Sequence, residues 1–177
     1  YKHNVVNDKG NFQRSAEHIQ RRLRFMAYLV VRIKGTVNIP AWAQKTLDGL
    51  NLDRRFRATI VPENSEYLGM LRKVKDEVAW TKADTGIVKE LLEKRGRKTG
   101  YKPIEKADLP KEYKSMDDLA TAIAGDKVAI SKLDGIKPWF ALSPPKGGFK
   151  RKTKNQYAEA GVLGEDGELV EIVKRML

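Results

Sequence analysis

Cysteine is absent from this 177-residue chain, and histidine occurs only as His3 and His18. The absence of cysteine excludes disulfides, thiolate metal sites and cysteine nucleophiles. Neither histidine has a carboxylate at ligand spacing, so we expect surface histidines rather than a zinc site. No apolar run reaches the roughly 18 residues of a membrane-spanning helix, and the start does not resemble a secretory signal. We therefore expect a soluble protein with no metal, no other cofactor and no membrane partner.

Signatures of nucleotide binding and covalent catalysis are also missing. The sequence contains no G-x-x-x-x-G-K-[ST] loop, no G-x-G-x-x-G fingerprint and no serine nucleophile motif. One enzymatic alternative stays open, because Lys34, Gly35 and Thr36 with Asn38 follow the first predicted strand and resemble a phosphate cradle. Such a cradle would suit a small acylphosphatase-like phosphohydrolase. Our main expectation is no enzyme, no catalytic residues and no small-molecule substrate.

Acidic residues are fewer than basic ones, with 23 Asp and Glu against 35 Lys and Arg and a net charge of +12. Much of the surplus lies in two stretches without any acid, residues 94–102 and residues 146–154. Each stretch contains two glycines, so both are predicted to be loops. A single charge run is commonly a solvated face. Two of them on a chain with folded segments favour a polyanionic partner, and nucleic acid is the simplest one.

The hydrophobic pattern of residues 27–80 predicts a β-α-β-α-β order. Residues 27–34 alternate as a strand with one buried and one partly basic face, Arg32 and Lys34 lying on the basic one. A helix follows Pro40 and ends at Asn51, and residues 57–61 form the second strand. A second helix begins near Asn64, and a third strand lies near residues 78–80. Two helices on one side of such a sheet predict that its other side is open.

The remaining sequence is less regular. Helices are predicted over residues 15–25, from Asp84 or Thr85 to Gly96, from Ser115 to Gly125, and over residues 167–177. An extended segment is expected near residues 136–142. We divide the chain into a basic N-terminal extension (1–25), a core (26–82) and a C-terminal extension (83–177) with helices and a basic RNA-binding loop.

Two local features favour RNA in particular. Residues 144–152 combine cations for phosphates, glycines for close approach and Phe149 for a base, although a disordered basic loop is the simpler interpretation of such a segment. Gly69 lies inside a predicted helix, where glycine costs about 1 kcal/mol relative to alanine. Either a packed neighbouring helix or an approaching RNA strand would explain it, and the nearby Arg72 and Lys73 favour RNA.

Seven segments form a familiar pattern: LVVRIKGTVN at 29–38, QKTL at 44–47, VPEN at 61–64, YLGM at 67–70, KV at 73–74, LSPPKGGF at 142–149 and GVLG at 161–164. This pattern resembles the large-subunit ribosomal proteins numbered thirty in the universal scheme. The match is to the long archaeal form, related to the eukaryotic large-subunit protein seven, and it extends from about residue 26 to the end. Two positions depart from the family pattern, Leu68 in place of arginine and Ser143 in place of histidine.

The resemblance implies an α+β fold with a ferredoxin-like β-α-β-α-β core, in which two helices pack on an antiparallel three-stranded sheet, plus a C-terminal helical and extended region. It implies a cytoplasmic structural constituent of the large ribosomal subunit that binds 23S-type large-subunit rRNA. 5S rRNA and neighbouring ribosomal proteins are further expected partners. The alternative is an RNA-binding or processing factor outside the ribosome.

The candidate RNA-binding residues come from the basic stretches, the first turn and the family motifs. They are Arg32, Lys34, Asn38, Lys45, Tyr67, Gly69, Met70, Arg72, Lys73, Arg95, Arg97, Lys98, Pro145, Lys146, Gly147, Gly148, Phe149, Lys150, Arg151, Lys152 and Lys154.

Overall fold

The structure is a computed structural model that describes residues 27–105, 109–110, 113 and 115–177. The predicted helix at 15–25 and the N-terminal extension lie outside the described residues. The strands are β1 (Tyr28–Arg32), β2 (Arg57–Val61), β3 (Val78–Lys82), β4 (Phe140–Ala141), β5 (Lys152–Gln156) and β6 (Gly161–Glu165). The α-helices are α1 (Ala41–Gly49), α2 (Ser65–Lys73), α3 (Thr85–Arg95), α4 (Met116–Ala124) and α5 (Leu169–Met176).

One sheet joins the six strands in the order β4-β2-β1-β3-β6-β5. Its centre is antiparallel, with Leu29 of β1 opposite Ile60 on one side and Thr81 on the other. β4 adds to β2 antiparallel, whereas β6 runs parallel to β3 and β5 parallel to β6. The predicted α+β, ferredoxin-like β-α-β-α-β core is confirmed, and the C-terminal region extends its sheet at both edges.

The first face of the sheet carries α1 and α2. Val30 and Trp80 point to this side and form a buried cluster with Leu47 of α1 and Leu71 of α2. Both helices meet the sheet through apolar residues at helical spacing, as the sequence predicts. The opposite, outward side of these helices is exposed, and it carries several of the candidate RNA-binding residues.

The second face is also buried, so the prediction that it is open was wrong. Leu29, Val31 and Ile60 belong to a larger cluster that includes Leu91 of α3 and Val173 of α5. The apolar stripes of the C-terminal helices need a surface to bury against, and this face supplies it. The two parts of the chain therefore share a hydrophobic core.

Arg32 requires a second correction, because the sequence places it on an exposed basic face. Its side chain is 0 % exposed. The guanidinium donates from Nη1 to the carbonyl oxygen of Leu52 (2.6 Å) and from Nη2 to that of Gly35 (2.9 Å). It also donates from Nε to that of Lys34 (3.2 Å), and burial lowers its pKa. A cation enclosed by carbonyl oxygens orders the turn after β1 and does not reach a phosphate.

The helix boundaries agree with the sequence signals. Ser115 Oγ accepts the backbone N–H of Asp118 at 3.2 Å, the N-cap bond predicted for α4. Helix α3 ends before Gly96, where a Cβ would meet the Leu92 carbonyl oxygen at 2.3 Å. The second basic stretch departs from expectation, because its last residues form strand β5 rather than a loop.

Candidate RNA interface

Three lysines at alternate positions of the second basic stretch are exposed, and we call them the lysine row. Lys152 and Lys154 lie in β5, and Lys150 lies in a bend two residues before it. Lys152 and Lys154 are two apart in a strand, so their side chains point to the same side, about 6–7 Å from one another. This lysine row presents three cations to solvent at the edge of the sheet, as contacts to a phosphate backbone require.

Arg151 lies between two of these lysines and is already paired. Its Nη2 donates to Glu168 Oε1 at 2.7 Å, and its guanidinium carbon lies 4.6 Å from the ring centroid of Tyr157. The residue therefore joins β5 to the start of α5. Of the cations predicted in this stretch, Arg151 is the one that a carboxylate neutralises.

Residues 145–149, the glycine loop, precede the lysine row and have a defined backbone. Gly147 and Gly148 have φ values of 77° and 71°, the left-handed region that favours glycine. The N–H of Gly148 donates to the Pro145 carbonyl oxygen at 2.9 Å, and Arg175 Nη1 donates to the Gly148 carbonyl oxygen at 2.9 Å. Lys146 is exposed at the tip of this loop.

Phe149 and Pro145 anchor the glycine loop, which differs from the expectation that they face RNA. The ring of Phe149 stacks on Phe56 with centroids 6.2 Å apart and packs against the core. Pro145 is buried. Apolar contact with the body of the protein holds both side chains, and Phe56 occupies one face of the Phe149 ring.

The first basic stretch lies beside the end of α5, close to the glycine loop. Arg95 Nη2 donates to Ser143 Oγ at 2.7 Å and to the Leu177 carbonyl oxygen at 2.8 Å. Arg97 Nη1 donates to the Gly96 carbonyl oxygen at 2.8 Å, and the backbone of Lys98 pairs with Ile136. Arg95, predicted to bind phosphate, instead fixes the end of α5.

Helices α1 and α2 bring together a second exposed surface. Lys45 is exposed on α1, and Arg72 and Lys73 are exposed on the last turn of α2. Lys73 Nζ lies 5.6 Å from the ring centroid of Trp42, a side chain that is 52 % exposed. We define the α1–α2 surface as the exposed part of both helices, formed by Trp42, Lys45, Gly69, Arg72 and Lys73.

Tyr67 and Met70 are half-buried beneath this surface and pack against the first-face cluster. The sequence did not single out Trp42. The sequence feature that could have identified it is an aromatic residue three positions before Lys45, on the side of α1 away from the buried Ala43 and Leu47. An exposed tryptophan beside a lysine supplies a flat ring and a cation in one place.

Gly69 faces open space on the α1–α2 surface. No atom of the described chain beyond its own helix lies within 4 Å of a Cβ built at this position. A packed neighbouring helix, one of the two explanations open from the sequence, is therefore excluded within the described chain. Glycine at this position lowers helix stability by about 1 kcal/mol relative to alanine, and no contact within the described chain accounts for its presence.

The turn after β1 and the lysine row border one cavity. It has a volume of about 480 Å³ and is lined by Lys34, Asn38, Arg55 and Lys154, with Glu77 at its wall. Lys34 Nζ lies 3.9 Å from Glu77 Oε1, and burial raises the pKa of Glu77. The sequence missed Arg55, whose Nε donates to the Ile33 carbonyl oxygen at 2.8 Å. The cavity therefore brings together three candidate RNA-binding residues, Lys34 and Asn38 from the turn and Lys154 from β5.

Among the described residues, no group of three or more histidine, aspartate or glutamate side chains is placed to hold a metal ion. The described helices are also too short or too polar to cross a membrane. Together, the fold and these surfaces define an α+β protein of ferredoxin-like topology with an extended cationic surface.

Comparison with known proteins gives the family. A family model described as ribosomal protein L30p/L7e matches residues 28–78. The chain is 50 % identical over 152 residues to the large ribosomal subunit protein uL30 of Cenarchaeum symbiosum, and 48 % identical over 152 residues to that of Nitrosopumilus maritimus. Each match covers 85 % of this chain and 98 % of the relative. The protein of the same name from Staphylothermus marinus is 39 % identical over 158 residues, with the same two coverages.

The chain belongs to the ribosomal protein L30p/L7e family. The predicted resemblance, including its archaeal character, is confirmed. So is the prediction of a structural constituent of the large ribosomal subunit, located with that subunit in the cytoplasm. This family is not a class of enzymes.

Proposed function

We propose that this chain stabilises the large ribosomal subunit by binding folded large-subunit rRNA of the 23S type through the α1–α2 surface, the lysine row and the tip of the glycine loop. 5S rRNA and neighbouring ribosomal proteins are further partners in this proposal. The core (26–82) and the C-terminal extension (83–177) each supply part of the interface. The chain acts as a scaffold for RNA, without catalysis or a cofactor.

The observation that carries this proposal is Gly69. A glycine in an exposed helical position lowers helix stability, and here no internal contact of the described chain requires it. An external group that approaches the backbone of α2 does require it. Lys73 follows Gly69 by about one turn of α2, and its Nζ lies 5.6 Å from the Trp42 ring centroid, so the approaching group is one that a cation and a flat ring both attract, as RNA is.

The phosphohydrolase alternative has no comparable support. Its Lys34 is opposed by Glu77 at 3.9 Å, and Asn38 lies in a left-handed conformation on an exposed turn. A phosphate at Lys34 would have to compete with this carboxylate. No specific observation favours an RNA-processing factor outside the ribosome either.

Replacing Gly69 with leucine is expected to have opposite effects on folding and on RNA binding. The free energy of unfolding should rise by up to about 1 kcal/mol, because leucine is the better helix former and the space around it is open. Affinity for protein-free large-subunit rRNA should fall at least tenfold, since the side chain occupies the space of the approaching backbone. Urea unfolding and filter binding measure the two quantities.

Gly86→Leu is the matched control, because Gly86 is an exposed glycine inside α3, outside the proposed contact surfaces, and a Cβ there meets the side-chain oxygen of Asp84 at 3.1 Å. This control should leave RNA affinity within about twofold of the wild type. If Gly69→Leu raises stability and leaves RNA affinity unchanged, no partner approaches α2 closely and the proposed interface loses this surface.

A further inference from the structure

Four side chains form a layered arrangement at the β4 edge of the sheet, away from the lysine row. The guanidinium carbon of Arg57 lies 3.8 Å from the ring centroid of Trp139. The Trp139 and Tyr101 rings meet edge to face, with centroids 5.9 Å apart. Lys137 Nζ lies 3.6 Å from the Tyr101 centroid and 5.2 Å from that of Trp139. We call these four residues the aromatic stack.

Tyr101 is the outermost member of the aromatic stack and is 61 % exposed. One face of its ring is occupied by Lys137. Trp139 meets the ring edge to face, and 61 % of the residue nevertheless stays exposed. A flat group from outside the chain has access to this exposed part of the ring.

The backbone of Tyr101 has a conformation that is unusual for a bulky residue. Its φ is 63°, in the left-handed region that glycine and asparagine adopt at lower cost than a bulky residue. It closes a tight turn, since its N–H donates to the Lys98 carbonyl oxygen at 3.0 Å and the preceding Gly100 has a φ of 83°. A bulky residue at such a position is an outlier of the kind that accumulates at binding sites.

The surroundings of the aromatic stack are cationic. Tyr101 stands in a turn between Lys98 and Lys102, and Arg97 pairs across the base of the same turn with Pro103. The turn is held in place by backbone bonds, with the Lys137 N–H donating to the Arg97 carbonyl oxygen at 2.9 Å. Asp53 contacts Arg57 on the far side of Trp139. An aromatic face ringed by lysines attracts a group that is both flat and anionic.

We propose that the aromatic stack binds one unpaired nucleotide of large-subunit rRNA, with its base on the exposed part of the Tyr101 ring and its phosphate near Lys102 and Lys137. This inference rests on the proposed RNA-binding function and adds a second contact region, at the opposite edge of the sheet from the lysine row. A nucleotide fits better than a protein side chain, because it alone joins a π-face to a phosphate.

The test compares Tyr101→Asn with Tyr101→Phe in the full chain, using a protein-free transcript of large-subunit rRNA. Asparagine tolerates the left-handed backbone, so the thermal unfolding midpoint of Tyr101→Asn should be unchanged or higher. Its RNA affinity should fall by roughly 5- to 150-fold, which corresponds to the ~1–3 kcal/mol of stacking one base. The slope of affinity against salt should not change, since stacking releases no counterions. Tyr101→Phe should bind within about twofold of the wild type.

Three results overturn this inference. If Tyr101→Asn binds the transcript as the wild type does, no base lies on this ring. If it binds the transcript normally but fails to join subunits that carry their other proteins, the partner is a protein. A flattened salt slope would mean that the substitution removed phosphate contacts instead. If the wild-type chain itself does not bind the transcript, the proposed function fails, and that outcome is separate from these three.

Discussion

Replacing Lys150, Lys152 and Lys154 together with glutamine is expected to weaken binding to protein-free large-subunit rRNA by roughly 100- to 500-fold at 0.1 M salt. The slope of log affinity against log salt should become less steep by about 2–3. Each cation that neutralises a phosphate releases a condensed counterion and contributes about 0.7–0.9 to that slope. The measurement is a salt titration of the binding constant for both proteins.

The expected size of this effect follows from the exposure of the lysine row. All three side chains are exposed, two of them in β5 and Lys150 just before it. Among the described residues, no ion pair involves any of the three. Arg151 is left out of the substitution because Glu168 already neutralises it at 2.7 Å. Glutamine is a polar, uncharged side chain only one bond shorter than lysine, so the main change is the loss of charge.

A second triple variant, Lys82, Lys89 and Lys94 to glutamine, is the matched control. It changes the net charge by the same amount, but each of its lysines lies within 4 Å of a carboxylate, on Glu63, Asp117 and Glu90 respectively. We expect its salt slope to equal that of the wild type. If both triple variants flatten the slope equally, RNA responds to net charge alone and the lysine row is not a contact surface.

Arg32→Ala is expected to lower the free energy of unfolding by about 3–5 kcal/mol. The substitution removes the donor from three carbonyl oxygens, those of Lys34, Gly35 and Leu52, and the bond to Leu52 is fully buried. It also empties the space of a side chain that is 0 % exposed. Each unsatisfied buried group costs about 1–3 kcal/mol, and removing one partner of a buried charged network commonly costs ~3–5 kcal/mol in all. Urea unfolding followed by tryptophan fluorescence measures this change.

Arg72→Ala provides the comparison, because Arg72 is an exposed arginine on α2. Its free energy of unfolding should stay within about 0.5 kcal/mol of the wild type. Any loss of RNA affinity in this variant would be independent of folding, in contrast to Arg32→Ala. A destabilisation below about 1 kcal/mol for Arg32→Ala would contradict the structural role assigned to it.

The central strands and helices could be predicted from the sequence because each is strongly periodic. Leu29, Val31 and Ile33 alternate, and the apolar residues of α1 recur at intervals of three and four, so elements and order follow directly. Strands β5 and β6 could not be predicted in this way. β5 contains no apolar residue, and β6 begins with a glycine, so neither shows the alternation of a half-buried strand.

The sequence predicts the residue types of the candidate site. It does not predict which of these residues are free to contact RNA and which support the fold. Alternation assigns Arg32 to a side of β1, yet only the packed structure shows that this side is buried. Arg95, Pro145 and Phe149 look like binding residues in sequence, whereas tertiary contacts give them structural roles. Trp42 was missed because the sequence does not show which aromatic side chains stay outside the hydrophobic core. In the structure this side chain is 52 % exposed.

Residue-resolved crosslinking of this chain to RNA inside purified large ribosomal subunits tests the central claim most directly. The account predicts crosslinks to rRNA from the lysine row, from Lys146 at the tip of the glycine loop and from the α1–α2 surface near Gly69. It predicts none from the three lysines of the control variant. The account would be contradicted by crosslinks that come only from the exposed sides of α3 and α4, with none from the lysine row or from α2.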